Sequence, residues 1–368
     1  MSAWRRARVG TLRFARSRVT SHVERDHCDG TEGDCPGGPD RPPVDGAPPP
    51  GPDAATGRME LLSALLAATS DGNELYGRIE DLTGTTGARA ASGAAATGAV
   101  ARRTVLVTAA LGETTRTRAT VLPDLSAPPP TPTDLVPPLV ELPRYTGVLP
   151  PHTVLEPMAF AELLAEFAAV ALAVHGPDDA ERFRRHWDGT RVGVPDLTVT
   201  DSPVALGGWP VDSEGTTAGR LPLVEAGTVV GCALDRATAD ALGRAPTGRA
   251  SREVSGLAAY PANLVVELPE APAAPELYLR VERLHYVSVV DADTGTLTAA
   301  TRDFTTVVAD GRAVGAVPSV RFSVRVPRLL RSIAGGLGPA HTVPVSWGGC
   351  VVRSPAVLVT DLPLLSTA

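Results

Sequence analysis

Few residues in the chain have the type and spacing to do chemistry. The stretch LLAEFAAVAL, residues 163–172, holds one glutamate, Glu166, in an apolar setting. A zinc hydrolase helix needs two histidines close together with a glutamate beside the first. Neutral imidazole nitrogens hold the metal, and the carboxylate activates a water. Around Glu166 stand Ala165, Phe167, Ala168, Ala169 and Val170, and none of these side chains can ligate a metal. The seven histidines, at 22, 27, 152, 175, 186, 285 and 341, are spread along the sequence. His175 and His186 are 11 residues apart across DDAERFRRHW, and His285 sits in the strand-like LHYVSVV. Histidines so placed are more often surface or satisfied core residues than ligands.

Two acidic clusters remain. In PVDSEGTTAGR, residues 210–220, Asp212 and Glu214 stand two apart. On an extended segment they would share a face and could do acid–base work or bind a cation. The plainer reading is a polar turn before the strand RLPLVEAG. In ATRDFTTVV, Arg302 and Asp303 lie between a turn and a strand, where such a pair usually fixes a loop. The four cysteines, 28, 35, 232 and 350, form no CxxC pair. His22, His27, Cys28 and Cys35 lie within 14 residues, but DGTEGDCPGGPDRPP is turn-rich and offers little apolar support for a metal site. Free thiols in a reducing compartment are the expectation. A lysine-bearing P-loop is excluded because lysine is absent from the sequence. AGGLGPA, residues 334–340, lacks the strand–GxGxxG–helix context of a dinucleotide site. There is no GxSxG elbow and no HExxH.

The elements that must position these residues fall into two parts. A length of 368 residues suits two domains. The net charge of −7 gives no reason to expect nucleic-acid binding. No apolar run is long enough for a membrane span. MSAWRRARVGTLRFARSR lacks the apolar core of a signal peptide, so a cytoplasmic location is expected. Glutamine is absent too, and only two isoleucines occur. This points to a GC-rich genome, so abundant arginine is not in itself a sign of phosphate binding.

Residues 9–25 partly alternate and read as one or two strands. Residues 28–58 read as a low-complexity insertion or disordered linker, 59–69 as a helix, and 83–101 as a Gly-, Ala- and Thr-rich stretch with little to pack. Residues 102–111 read as a strand. These make an N-terminal domain over 1–122. A proline-rich linker follows over 123–149, and a C-terminal domain over 150–368. The latter opens with a short strand, a turn at Glu156-Pro157 and an apolar helix that Gly176-Pro177 ends. Many short apolar runs follow, with EAG (225–227) and ADG (309–311) as hairpin turns. Antiparallel strands should therefore dominate this half.

Taken together, these segments resemble the TldD/PmbA family. DSEGTTAGRLPLVEAGTVVGCALDRATADALGRAPTGRA (212–250) is similar to the family's acidic-Glu-Gly segment, Leu-(Val/Ile)-Glu-x-Gly strand turn, Asp-Arg-x-(Ser/Thr)-Ala helix and Thr-Gly pair. PANLVVE (261–267) resembles its Pro-x-Asn strand. YVSVVDADTGTLTAATRDFTTVVADGRAVGAVPSVRFS (286–323) resembles its late hairpin, and LRFARSRVTSHVERD (12–26) its N-terminal strand pair. The resemblance implies an α+β protein, with an N-terminal α/β domain followed by a mainly antiparallel β domain.

In the family's catalytic branch a Leu-His-Glu-x-x-x-His helix holds zinc. Overlaying LLAEFAAV on it puts Ala165 and Val170 at the two histidines and Glu166 at the glutamate. The resemblance therefore implies no catalytic residue and no metal or cofactor in this protein. It implies instead a non-metal-binding subunit that partners a TldD-like zinc metalloprotease, zinc being held only by that partner, and extended or unfolded peptides as substrates. Candidate peptide contacts are Asp212, Glu214, Thr247, Asn263, Arg302 and Asp303. Cys350 lies where the catalytic branch has a further ligand, but its surroundings in WGGCVVRSP do not match. Two other readings stay open. One is a hydrolase with an atypical metal site among Asp212, Glu214, His285, His341 and Cys350. The other is a stand-alone peptide-binding or structural protein, a decayed paralogue.

Overall fold

The computed structural model describes residues 2–30, 53–70, 72–89, 95–126, 130–136, 138–251, 259–271, 273–346, 349–360 and 362. Among them the protein has an α+β fold whose strand pairs are mostly antiparallel.

The N-terminal part is one antiparallel sheet with a helix on one face. It comprises β1 (Ser2–Ala15), β2 (Arg18–Gly30), helix α1 (Asp53–Ala67), β3 (Glu74–Arg89), β4 (Ala95–Leu111), β5 (Thr114–Leu122) and the short α2 (Pro132–Leu135). The strand order is β2-β1-β3-β4-β5. Alternation decides the faces. Leu12, Phe14, Ile79, Val105 and Val107 point to the helix side, where they pack with Leu61, Leu62 and Leu65 of α1. The residues between them face the C-terminal part.

The segment read as a linker over 28–58 is drawn into elements at both ends. Cys28–Gly30 continue β2 and Asp53–Arg58 begin α1, while residues 31–52, with Cys35, lie outside the described residues. The small residues 83–89 and 95–101 also differ from the expectation of little packing, since β3 and β4 run through them in register, Thr85 opposite Ala99. Their smallness has a cause. A Cβ on Gly84 would lie 2.7 Å from the Trp209 ring, and one on Gly98 would collide with Pro210. Glycine there lets a C-terminal loop lie flat on the sheet.

The C-terminal part opens with β6 (Thr153–Leu155) and α3 (Pro157–Ala171), with Glu156 as N-cap and Pro157 in the first turn. The helix stops at Leu172, whose N–H donates to the Ala168 carbonyl. Gly176-Pro177 does not end it but starts α4 (Pro177–His186), after β7 (Ala173–Val174). Then come β8 (Thr198–Asp201), β9 (Leu221–Glu225), β10 (Thr228–Val229), β11 (Ala233–Leu234), α5 (Arg236–Ala241), β12 (Asn263–Glu267) and β13 (Leu277–Val281). They are followed by β14 (Arg283–Asp291), β15 (Thr296–Arg302), β16 (Thr306–Ala309), β17 (Arg312–Ala316), β18 (Arg321–Arg325), α6 (Val326–Arg331), β19 (Ile333–Pro344) and β20 (Val351–Val359).

One large sheet has the order β10-β9-β8-β12-β20-β6-β13-β16-β17, with β19 paired to β20, and a smaller one has the order β14-β15-β18. Both expected hairpin turns form, with Ala226-Gly227 and Asp310-Gly311 at positive φ, the pair of conformations a two-residue hairpin demands. AGGLGPA lies within β19, a strand and not a phosphate loop. Helix α3 is apolar almost all round, so it is buried, packed against β20, β14, β19 and α6.

A row of charges ties α1 to its sheet. Glu24, Gly10, Asp81 and Arg103 stand opposite one another on β2, β1, β3 and β4. Arg58, only 1 % exposed, reaches down from α1 over Gly10, where a Cβ would collide with its guanidinium. It donates to Asp81 at 2.9 Å and pairs with Glu24, while Arg103 donates to both Asp81 oxygens at 2.6 and 2.9 Å. Removing one partner of a buried ion pair leaves a desolvated charge uncompensated. Asp81→Ala is therefore expected to lower stability by about 3–5 kcal/mol. Glu24→Ala, at the wet rim, should cost at most about 1 kcal/mol. Denaturant midpoints of the two variants check both values.

Candidate functional site

The outer face of the N-terminal sheet lies over the C-terminal part, and the two are joined by buried polar links. Arg116 of β5 donates from Nε and Nη2 to the two oxygens of Glu282, at 2.8 and 2.6 Å, and Glu282 is 1 % exposed. The neighbouring Thr117 hydroxyl donates to Asp303 at 2.8 Å, and Thr115 to its other oxygen at 3.2 Å. Arg283 donates to the same carboxylate at 3.1 Å. Asp303 holds a left-handed backbone, φ 59°, a conformation Asp tolerates better than most residues. The expected loop-fixing Arg302–Asp303 pair is present at 3.4 Å, but the larger role of Asp303 is to receive β5.

Beside this joint lies a cleft of about 300 Å³. Its floor is sheet: Arg13, Arg78 and Leu106 stand in one row across β1, β3 and β4. Its wall is α3 and the end of β19, with Met158, Glu162, Val345 and Ser346. Glu162 is 5 % exposed, and its two oxygens accept from the Ser346 N–H and hydroxyl, each at 2.9 Å. Burial raises its pKa, while Ser346 and the nearby Arg283 oppose the rise. One turn on, Glu166 is half-buried, and burial together with the charge of Glu162 raises its pKa too. An i, i+4 pair shares a helix face, so α3 presents two carboxyls whose pKa burial raises. Such a pair can accept or donate a proton or take a cationic group.

The other helix positions hold no donors. Ala165 is buried in the apolar core and Val170 is half-buried. Two aliphatic side chains and one carboxylate do not make a zinc site. Among the described residues, no group of three or more His, Cys, Asp or Glu is placed to hold a metal ion.

Of the remaining candidates, Asp212 and Asn263 line one small cavity and the others do not join them there. The Asp212–Glu214 segment forms the polar turn that its plainer reading expected. Asp212 is buried and accepts from the N–H groups of Glu214, Thr216 and Ala250 at 2.9, 2.8 and 3.0 Å. Glu214 accepts from the N–H of Arg236 at 2.7 Å, at the start of α5. Thr247 uses its hydroxyl to bridge the N–H and carbonyl of Leu234. Asn263 is buried against Gly208, donates its N–H to Asp201 at 2.7 Å, and leaves its side-chain oxygen without a partner among the described residues. It lines a second cavity of about 320 Å³ with Arg5, Trp209 and Tyr260. His285 lies on β14 against Tyr286, and His341 is exposed on β19. Cys350 is buried, and burial pushes its thiol pKa up; that of Cys232 is pushed up to about 11 for the same reason. Neither is an activated nucleophile.

Sequence reasoning missed Glu162, Ser346, Arg13 and Arg78. Glu162 had a signal, a second carboxylate four residues before Glu166 in an apolar helix. The others come together only through strand register and the meeting of the two parts.

The family model of the PmbA/TldA metallopeptidase C-terminal domain matches residues 151–362, more than half of the chain. No curated protein sequence matches it. Among solved structures, the chain is similar to TldE from Thermococcus kodakarensis, with a TM-score of 0.72 at 14% identity over 99% of this chain and 96% of that one. It is also similar to a candidate modulator of DNA gyrase from Thermotoga maritima, with a TM-score of 0.72 at 14% identity over 98% and 94%. A Bacteroides thetaiotaomicron protein of the same description gives 0.61 at 12% identity over 97% and 94%. At these identities the structures share the fold.

The raised carboxyls make stability depend on pH. A group whose folded pKa lies above its unfolded value binds its proton more tightly when folded. Its contribution is full below the ordinary carboxylate range and is lost as pH rises through the raised folded value. The stability of the wild-type protein relative to Glu162→Gln/Glu166→Gln should therefore fall as pH rises across that window. Denaturation midpoints of both proteins from acid to neutral pH check this. A difference that does not change with pH would show that the two carboxyls titrate normally.

Proposed function

Because the chain belongs to the TldD/PmbA family, matched over 151–362, we propose that it is a subunit of a peptide-processing complex that holds no metal itself and pairs with a TldD-like zinc metalloprotease in the cytoplasm. The observation that carries this reading is helix α3. In a family described as metallopeptidases, the positions that resemble the zinc-binding histidines are Ala165 and Val170, one in the apolar core and the other half-buried. Methyl groups cannot replace imidazole nitrogen, and Glu166 alone cannot hold zinc. The hydrolysis then belongs to the partner, and this subunit shapes the place where the peptide lies.

Extended or unfolded peptides suit that role. The domain is built largely of strands, and β14 is an edge strand of its sheet, with Val289 and Val290 exposed. A sheet edge binds an extended peptide through main-chain hydrogen bonds, with little regard for sequence. The cleft beside Glu162 is large enough for a few side chains or a peptide end, not for a folded domain.

The test is to co-express the protein with one carrying the HExxxH helix, and to assay zinc content and peptide cleavage for each subunit and for the complex. The expected result is co-purification, with zinc and cleavage found only when the partner is present. Stoichiometric zinc and peptide cleavage by this protein alone would overturn the reading. Failure to associate, with peptide binding retained, would favour a stand-alone binding protein.

A further inference from the structure

Arg13 and Arg78 pose a problem that the fold alone does not explain. They stand directly opposite each other on β1 and β3. Like charges in that position destabilise a sheet. Several other arginines of the sheet and the joint have acids to meet. Arg58 and Arg103 meet Asp81, Arg116 meets Glu282, and Arg283 meets Asp303. Arg13 and Arg78 make no hydrogen bond or ion pair among the described residues, and the Nε of Arg78 is buried without an acceptor. Arg13 is exposed and Arg78 half-buried, so what sets the pair apart is its placement: two guanidinium groups opposite each other along one cleft, one of them with a buried Nε.

The local backbone is adapted to this spot. The β1–β2 register shifts between Arg13 and Phe14, where β2 carries one extra residue, Thr20. On β3 the residue before Arg78 is Gly77, where a Cβ would collide with the Leu106 carbonyl and lie 2.8 Å from the Phe14 ring. Both arginines line the cleft of about 300 Å³, with Leu106 and Met158 as its apolar part.

We infer that this cleft binds a carboxylate of the peptide, clamped between the guanidiniums of Arg13 and Arg78. The inference rests on the peptide-binding reading above and adds to it a chemical preference. A carboxylate supplies the missing counter-charge, and two guanidinium forks can hold it through charge-assisted hydrogen bonds. A dianionic phosphate fits less well, because Glu162 on the opposite wall would repel it more strongly than a single negative charge. The carboxylate can be the C-terminus of the peptide or an Asp or Glu side chain within it, and the experiment separates the two.

The full-length protein, alone and in complex with its partner, is titrated into three fluorescently labelled unstructured peptides. One has a free C-terminal carboxylate and neutral side chains, one is its C-terminal amide, and one is an amide with acidic side chains. At least one acid-bearing peptide should bind about tenfold or more tightly than the neutral amide, the range expected for charged hydrogen bonds. Arg13→Gln/Arg78→Gln should abolish that difference. Its melting temperature should hold or rise, since the substitution relieves a like-charge pair, whereas a purely structural role predicts a fall. Equal binding of all three peptides overturns the clamp and leaves the peptide reading standing. Discrimination that survives the double substitution overturns the assignment to these two arginines. No binding of any peptide overturns both readings.

Discussion

Glu282 is buried almost completely, and its charge is met by Arg116, which comes from the N-terminal sheet. A carboxylate in that environment is tolerable only with a partner of good geometry, and the bidentate guanidinium gives it one. Around it, Asp303 takes Thr115 and Thr117 from the same strand. This cluster, together with the contacts of Trp209 and Pro210 on the sheet, holds the N-terminal sheet over the C-terminal part, and the cleft lies beside it.

The N-terminal sheet uses its two faces for different purposes. The face toward α1 is a small apolar core crossed by one charged row, with Arg58 lying in the space that Gly10 leaves empty. The opposite face mixes polar residues with Val9, Leu82 and Leu106 and covers the C-terminal part. Glycines decide how close that cover comes: Gly84 and Gly98 allow Trp209 and Pro210 against the sheet. Stretches that look poor in packing residues are thus poor because another part of the protein needs the room.

Helix α3 links fold and chemistry. Its apolar residues make it the centre of the C-terminal core, which is why Ala165 is buried there. The same burial raises the pKa of Glu162 and Glu166. The helix carries aliphatic side chains at Ala165 and Val170 and two carboxyls, Glu162 and Glu166, whose pKa burial raises. It has kept a packing role and a polar wall, without a metal-binding set.

Much of this was legible in the residues themselves. Pro157 after Glu156 marked the start of α3, EAG and ADG marked two hairpins, and the order of the motifs from 212 to 323 pointed to the family. These are local signals, because a first-turn proline or a turn glycine acts through its own backbone. Helix ends were less legible. Gly176-Pro177 looked like a stop and proved to be a start, since either fits the same dipeptide. The cleft was not legible at all. Arg13 and Arg78 are 65 positions apart, and only strand register sets them face to face. Asp212 and Glu214 form the polar turn that was the plainer reading of their segment, and both bind backbone N–H groups. The sequence by itself determined many of the element types, the family and the absence of histidine from α3. Tertiary structure alone decided which charges lost their water and which found a partner, because burial and pairing depend on residues distant in the sequence.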